Sequence, residues 1–363
     1  MARQEASSAL RRGWTTGACA AAAARAAYAA LLTGVFPDPV SIRLPRGQKP
    51  CFPLALAELG DGSACAGIVK DAGDDPDVTH GATIIAELAW SPPGSGIRFA
   101  AGAGVGTVTR PGLPLAVGEP AINPGPRAMI RETLADFAEA NGAAPPDVTV
   151  TIAIPGGERL AAKTMNGRLG IVGGLSVLGT TGIVVPYSCA SWVHAIHRGI
   201  DVARAAGLDH IAAAIGSTSE RAVQRLYGLP EHALIDMGDF AGGLLKYLRG
   251  HPVPRLTIAG GFAKIAKLAA GHLDLHSSSS RVDLSALTAR LALAGAAPDV
   301  LAGAQAAESA GALLDAAGDW RGTLADGVAC GAREVALATL SGMTAVEVAV
   351  VGRDGGFLAR VGA

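Results

Sequence analysis

The chain is 363 residues long, 50% hydrophobic yet only 4% aromatic, and 30 Lys+Arg against 31 Asp+Glu leave a net charge of −1. That length and apolar content suit two domains whose cores pack through small side chains. No Lys/Arg block stands out, which argues against nucleic acid or an anionic membrane as the main partner, and no apolar run approaches the roughly 20 residues that span a bilayer.

In chain order, the first predicted element is an Ala-rich helix over 18–32, capped by Thr15/Thr16 and ended at Thr33-Gly34. Arg3, Arg11 and Arg12 precede it, and Arg25 and Tyr28 within it do not fit the apolar region of a signal peptide. Short strands follow at Val40–Leu44, Ala66–Val69, Thr83–Ala89 and Ile97–Phe99. A helix is predicted around 126–141, with Pro126 near its start and Asn141-Gly142 past its end, and then a β-branched strand at Val148–Ile154. From about residue 185 the pattern changes. Apolar runs at Ile211–Ile215, Ala233–Ile235 and Leu256–Ala259 each stop at a small-residue turn and open a helix, with a late strand at Val346–Val351. Strand, turn and helix in repetition predict a parallel sheet, with ligands at the carboxyl ends of its strands. The stretch 285–318 reads as a helical pair. The expected fold is α/β in two domains: an α+β part over 1–190 and a Rossmann-like parallel-sheet domain over 191–363.

The densest polar run is Val69 to Gly81, where Asp71, Asp74, Asp75, Asp77, Lys70 and His80 crowd together. Its Gly, Pro and Asp oppose regular structure, so it is a loop: a solvated turn, or a place for proton transfer and ligand orientation. Two Thr-Thr-Gly triplets occur, Thr15-Thr16-Gly17 and Thr180-Thr181-Gly182. The first opens a helix and is an anion site or a plain cap. The second lies among glycines (Gly170, Gly173, Gly174, Gly179) that imply backbone pressed against a ligand or another segment. Gly102 to Gly106 lacks the spacing of a dinucleotide fingerprint, and there is no P-loop. The turn Gly216-Ser217-Thr218 is better placed for a nucleoside, with Asp236 ending the next strand and suited to a ribose diol. His194/His197 and His272/His276 have helical spacing for a metal but lack a third ligand nearby. Lys264 and Lys267 meet an anion or lie on an exposed face. Five spaced cysteines without a C-x-x-C pair predict buried thiols in a reducing compartment, hence a cytoplasmic protein.

Taken together, several blocks resemble the cobalt-precorrin-5B C(1)-methyltransferase family, CbiD. They are Thr15-Thr16-Gly17-Ala18-Cys19, the loop 69–81, Gly104 to Thr109 through Gly118-Glu119-Pro120-Ala121-Ile122-Asn123-Pro124, Thr164-Met165-Asn166-Gly167-Arg168 through Gly174, and Gly179 to Gly182. The chain departs from the family pattern at Ala18, at Gly261 and Ala263 within Gly260–Lys264, and at Leu275, while Lys264, His276 and Ser277 stay in register.

The resemblance implies methyl transfer from S-adenosylmethionine to ring carbon 1 of cobalt-precorrin-5B in the anaerobic route to cobalamin. It implies a tetrapyrrole held through its carboxylates by Thr15, Thr16, Gly17, Asn123, Arg127, Arg168, Thr180, Thr181, Gly182, Lys264 and His276, on the side of the first domain. The methyl donor is expected in the second domain, at Gly216, Ser217, Thr218, Asp236 and Gly260. A base for proton adjustment is sought among Asp74, Asp75, Asp77, His80 and Glu119. Cobalt arrives in the substrate, so no protein metal site is expected. Small-residue helices permit a homodimer, and transient hand-off to neighbouring pathway enzymes is expected. The rivals are a nucleotide-dependent oxidoreductase on the same sheet and a non-catalytic tetrapyrrole carrier.

Overall fold

The computed structural model describes residues 10–362, so Arg3 of the N-terminal stretch lies outside the described residues. The chain forms two compact units that divide between Ser188 and Cys189.

In the first unit, β1 (Leu56–Leu59), β2 (Ser63–Val69), β3 (Thr83–Trp90), β4 (Ile97–Ala101) and β5 (Val148–Ala153) form one sheet in the order β1-β2-β3-β5-β4. All its pairings are antiparallel except β5 with β4. Inward Ala64, Ala66 and Ile68 alternate with less buried neighbours along β2, the period-2 pattern of a strand with one face in the core. Helix α1 (Thr16–Thr33) packs on β2 and β3, and α2 (Pro124–Ala140) packs on α1. Because α1 lies between sheet and helix, it is buried almost all round, and alanine keeps both neighbours close. Thr15 Oγ1 accepts from Ala18 N at 3.2 Å and Gly34 closes the other end with φ 79°, as the cap residues predict. The predicted strand at Val40–Leu44 shortens to Val40–Ser41, paired with Cys51–Phe52. Pro50, opposite Ile42, has no N–H with which to continue the ladder.

The glycine runs serve close crossings of backbone. A Cβ on Gly104 would lie 1.9 Å from Ile154 O, one on Gly157 2.2 Å from Gly104 O, and one on Gly174 2.3 Å from Gly104 C. The glycine-rich blocks thus press against one another.

The second unit has β6 (His210–Ala214), β7 (Leu234–Asp236), β8 (Arg255–Gly261), β9 (Ala345–Val351) and β10 (Phe357–Val361) in the order β7-β6-β8-β9-β10, the first four parallel and the last antiparallel. The expected parallel sheet is present. Helices α3 (Cys189–Ala205), α5 (Ala241–Gly250), α6 (Phe262–Ala269) and α10 (Arg321–Leu340) share one large core with Ile211, Ile235, Leu256, Ile258, Val346 and Val348. The opposite face carries Ala212, Leu234, Ala259 and Ala349 against Val223 of α4 (Ser217–Tyr227). That face also buries Glu347, fully enclosed, which accepts from Thr257 Oγ1 at 2.8 Å, from Arg360 at 3.0 and 3.1 Å, from Arg255 at 3.3 Å and from the Tyr227 hydroxyl. Burial pushes the Glu347 carboxyl up, but these donors and the Arg360 charge outweigh it and hold it below its ordinary value.

The stretch read as a helical pair is three helices: α7 (Leu284–Ala294), α8 (Pro298–Gln305) and α9 (Ala310–Ala316). Gly295 (φ 91°) ends α7, Pro298 starts α8, and Ser309 Oγ caps α9 by accepting from Ala312 N at 3.1 Å. Of the five cysteines only Cys19 is buried, with burial pushing its thiol up to about 12; Cys51, Cys189 and Cys330 are exposed, against expectation. Among the described residues no helix is long and apolar enough to cross a membrane.

Gly104→Ala should therefore cost more than about 3 kcal/mol or prevent folding of the first unit, because a positive φ and a backbone collision coincide. Gly34→Ala, with open space around it, should cost only about 1–2 kcal/mol. Denaturant midpoints of the two variants measure the contrast.

Candidate active site

The carboxyl ends of the second unit's parallel strands form a cavity of about 440 Å³, lined by Ile215 to Ser219, Gly261 and Val351 to Arg353. It lies where the strand order reverses, since β6 has β7 on one side and β8 on the other. Helices α4 and α6 both begin here, after Gly216 and Gly261, and neither has a side-chain cap. Their first-turn N–H groups thus lack a capping acceptor from those glycines, a combination that favours an anionic or polar ligand. Ser219 Oγ turns back to Gly216 O at 2.8 Å, which leaves Ser217 and Thr218 as the hydroxyls of the rim.

Asp236 ends β7 opposite Ala214, and its carbonyl accepts from Trp192 Nε1 at 3.2 Å. Gly260 sits in the core: a Cβ there would lie 2.3 Å from Ile215 Cδ1, so its absence lets Ile215 and Ile265 close over β8. The adjacent Gly261 and the Gly352-Arg353 turn line the cavity instead, which sequence reasoning missed. The stop of the last parallel strand at Gly352 was the available signal.

Lys264 Nζ donates to Asp239 Oδ1 at 2.6 Å and to Leu275 O at 2.9 Å, and buried Lys267 donates to the same carbonyl at 3.0 Å. The two lysines anchor the loop that carries His276, whose Nδ1 lies 2.8 Å from Ser278 Oγ. His197 stacks on Tyr247 at 3.9 Å and Tyr247 on His251 at 4.0 Å, so the His194/His197 spacing serves an aromatic stack. No group of three or more His, Cys, Asp or Glu that could hold a metal occurs among the described residues.

In the first unit, the acidic loop is tied to two distant segments. Arg11 forks onto Asp71, and its N–H donates to Asp74 Oδ2 at 2.6 Å. The hydrogen bonds from Arg11 and Gly73 hold the Asp71 carboxyl at about 2. Asp75 Oδ1 accepts from Tyr187 N at 2.8 Å, and Tyr187 is one of the non-glycine residues with positive φ, at 55°. His80 Nδ1 accepts from Ala72 N at 3.1 Å, which places the proton of the neutral ring on Nε2. Lys70 is 2% exposed and is bound by Asp77 and Thr79 Oγ1. Glu119 pairs with Arg127 at 2.7 Å, and the same guanidinium donates to Ile122 O and Pro120 O.

The two Thr-Thr-Gly triplets meet. Thr15 N donates to Gly182 O and Gly17 N to Leu178 O, both at 3.0 Å. With Ala18 N already on Thr15 Oγ1, the N-terminus of α1 is largely filled by the chain itself, so the anion site expected there has its donors engaged. Thr181 Oγ1 caps its own turn at Ile183, Thr180 is exposed, and Asn123 joins this cluster through its N–H on Val177 O at 3.0 Å. Arg168 O accepts from Arg110 at 3.2 Å, on the turn before the glycines at 170–174.

Burial pushes the Asp77 carboxyl up, but the Lys70 ammonium and the Thr79 bonds outweigh it and hold it below its ordinary value. Asp77→Asn, which strands a buried ammonium, should destabilise the first unit by about 3–5 kcal/mol. In the parent protein this contribution is complete above about pH 4 and is lost as pH falls through the depressed folded value. Urea unfolding of both proteins at pH 7 and pH 3 tests both statements.

The CbiD family profile matches residues 3–186, and its C-terminal domain profile matches residues 274–362. A protein of Brucella anthropi named cobalt-precorrin-5B C(1)-methyltransferase is 58% identical over 353 residues, 97% of this chain and 96% of its own. Proteins of the same name from Paramagnetospirillum magneticum (59% over 348 residues, 96% and 97%) and a Bradyrhizobium species (60% over 352 residues, 97% and 93%) are equally similar. A crystal structure of cobalamin biosynthesis protein (cbiD) from Archaeoglobus fulgidus is 28% identical, with 70% of this chain and 77% of that one covered and a TM-score of 0.39. Near-full-length identity of this order, with both profiles matched in sequence, means that the chain belongs to the CbiD family.

Proposed function

We propose that this protein methylates cobalt-precorrin-5B at ring carbon 1, with S-adenosylmethionine as donor. The observation that carries this is the near-full-length identity to relatives named for that reaction. The cavity at the strand reversal supports the choice of donor, because two uncapped helix starts open into it; Asp236 ends the neighbouring β7 but is not among its lining residues. The donor supplies its methyl as a sulfonium, whose carbon–sulfur electron pair leaves with S-adenosylhomocysteine. Ring carbon 1 gives the new bond its electrons, and one proton leaves the macrocycle.

The chain's own residues position and hold. The α4 and α6 N–H groups with Ser217 and Thr218 receive the donor's polar groups, Asp236 receives the ribose diol, and Gly261 lets the donor lie against backbone. In-line positioning supplies much of the acceleration, so no protein nucleophile is needed. For the departing proton we favour Asp75: its Oδ1 holds Tyr187 while its second oxygen has no protein partner among the described residues. Asp77 has both oxygens engaged by Lys70 and Thr79, Glu119 pairs with the Arg127 guanidinium, and His80 offers a donor on Nε2. Asp74, which among the described residues also leaves one oxygen over beside the Arg11 N–H, is the second candidate. Thr180, Thr181, Gly182, Asn123 and Arg168 remain the proposed first-unit contacts for the tetrapyrrole. Five free thiols suit work in the reducing cytoplasm.

Incubation without oxygen with methyl-labelled S-adenosylmethionine and cobalt-precorrin-5B should add one labelled methyl at carbon 1. Tetrapyrrole binding without donor binding would make the protein a carrier and overturn the reading. Asp236→Ala should weaken donor binding at least tenfold by calorimetry; unchanged affinity moves the ribose elsewhere. Asp75→Asn keeps an acceptor for Tyr187 N, so it should lower turnover at least tenfold with donor affinity unchanged; full activity would make the loop purely structural.

A further inference from the structure

Beside the cavity at the strand ends lies a second, larger one of about 660 Å³, which shares Gly261, Val351, Gly352 and Arg353 with the first as wall residues. Its outer wall comes from α6, α9 and the start of α10, through Lys264, Gly311, Leu314 and Arg321, with Leu358 of β10. Leucines thus face a rim with three cations: Lys264, Arg321 and Arg353. Two carboxylates also line it. Asp354 Oδ1 is turned onto Gly356 N at 3.0 Å, and Asp315 meets Arg321 at 3.6 Å with both side chains well exposed. An exposed pair of that kind is weak and screened, so Arg321 can exchange its partner at little cost. Arg353 has no ion pair among the described residues, and its guanidinium lies 3.3 Å from the position of a Cβ on Gly311.

An apolar wall with a cationic rim matches a flat macrocycle edged by carboxylates. Methyl transfer also requires the acceptor carbon within about 3–3.5 Å of the methyl, so the acceptor must occupy space continuous with the donor. We infer that this second cavity holds one edge of the acceptor macrocycle, with Arg321 and Arg353 receiving its carboxylate side chains. The inference rests on the methyltransferase reading, and it makes residues of the second unit determinants of substrate choice. Arg321 acts by binding.

Arg321→Ala tests the charge and Gly311→Trp tests the space. Gly311 is flanked by the movable end of Arg353, so the indole can enter the cavity without a backbone collision. S-adenosylhomocysteine affinity, read by calorimetry, should stay within twofold of the parent in both variants. The KM for cobalt-precorrin-5B should rise at least tenfold in Arg321→Ala with kcat within threefold, and Gly311→Trp should lose macrocycle binding. Unchanged macrocycle binding in both folded variants, with S-adenosylhomocysteine still bound, would overturn the inference. If Gly311→Trp does not fold, an unchanged KM in Arg321→Ala is sufficient to overturn it. A parent protein that binds no S-adenosylhomocysteine would instead remove the methyltransferase reading and this inference with it.

Discussion

The parallel pairing of β6 with both β7 and β8 is the constraint from which the second unit's chemistry follows. Parallel strands deliver all their carboxyl ends to one edge, and the connections that cross over leave helices there by their N-termini. With later strands on either side of β6, the helices after β6 and β8 lie on opposite faces of the sheet. A gap at the strand ends results, lined by the starts of α4 and α6. Small residues at Gly216, Gly261 and Gly352 keep that gap open. The fold thereby creates a polar recess before any catalytic side chain is considered.

The first unit depends on a different device. Its glycine blocks and its acidic loop bring remote segments into register: Arg11 to Trp14 with Asp71 to Asp74, Thr15 with Gly182, and Asp75 with Tyr187. Most of the polar atoms that look catalytic in the sequence are engaged in this stitching. A carboxylate bound to an ammonium or a backbone N–H is a poor base unless an oxygen is left over, and that distinction separates Asp75 from Asp77.

Much of this was legible in the sequence because local rules were strong. The alanine helix with Thr15 and Gly34 at its ends, and the strand–turn–helix units at 210–227 and 255–269, follow from periodicity and capping alone. The break of 284–316 into three helices depended on Gly295 and Pro298, both visible but outweighed by a continuous Ala/Leu composition. The partners of Asp71 to His80 were not legible, since Arg11 and Tyr187 lie far away in sequence. Nor was the exchange of Gly260 for Gly261 at the cavity. Which of two adjacent glycines faces inward depends on the pleat of β8, and neither residue has a side chain to reveal it.

The late arrival of β9 has a consequence for how the protein is made. Strand β8 is complete at Gly261, but the strand that covers its free edge begins only at Ala345, after five α-helices. Throughout synthesis of that insertion the growing chain carries an open edge of aliphatic β-strand, the kind of surface that pairs with strangers. Closure waits for Glu347, which collects Arg255 from one neighbouring strand and Arg360 from the other. The buried carboxylate is thus a latch that forms late: until the strands at 345–351 and 357–361 have left the ribosome, the sheet that forms the recess has no finished side.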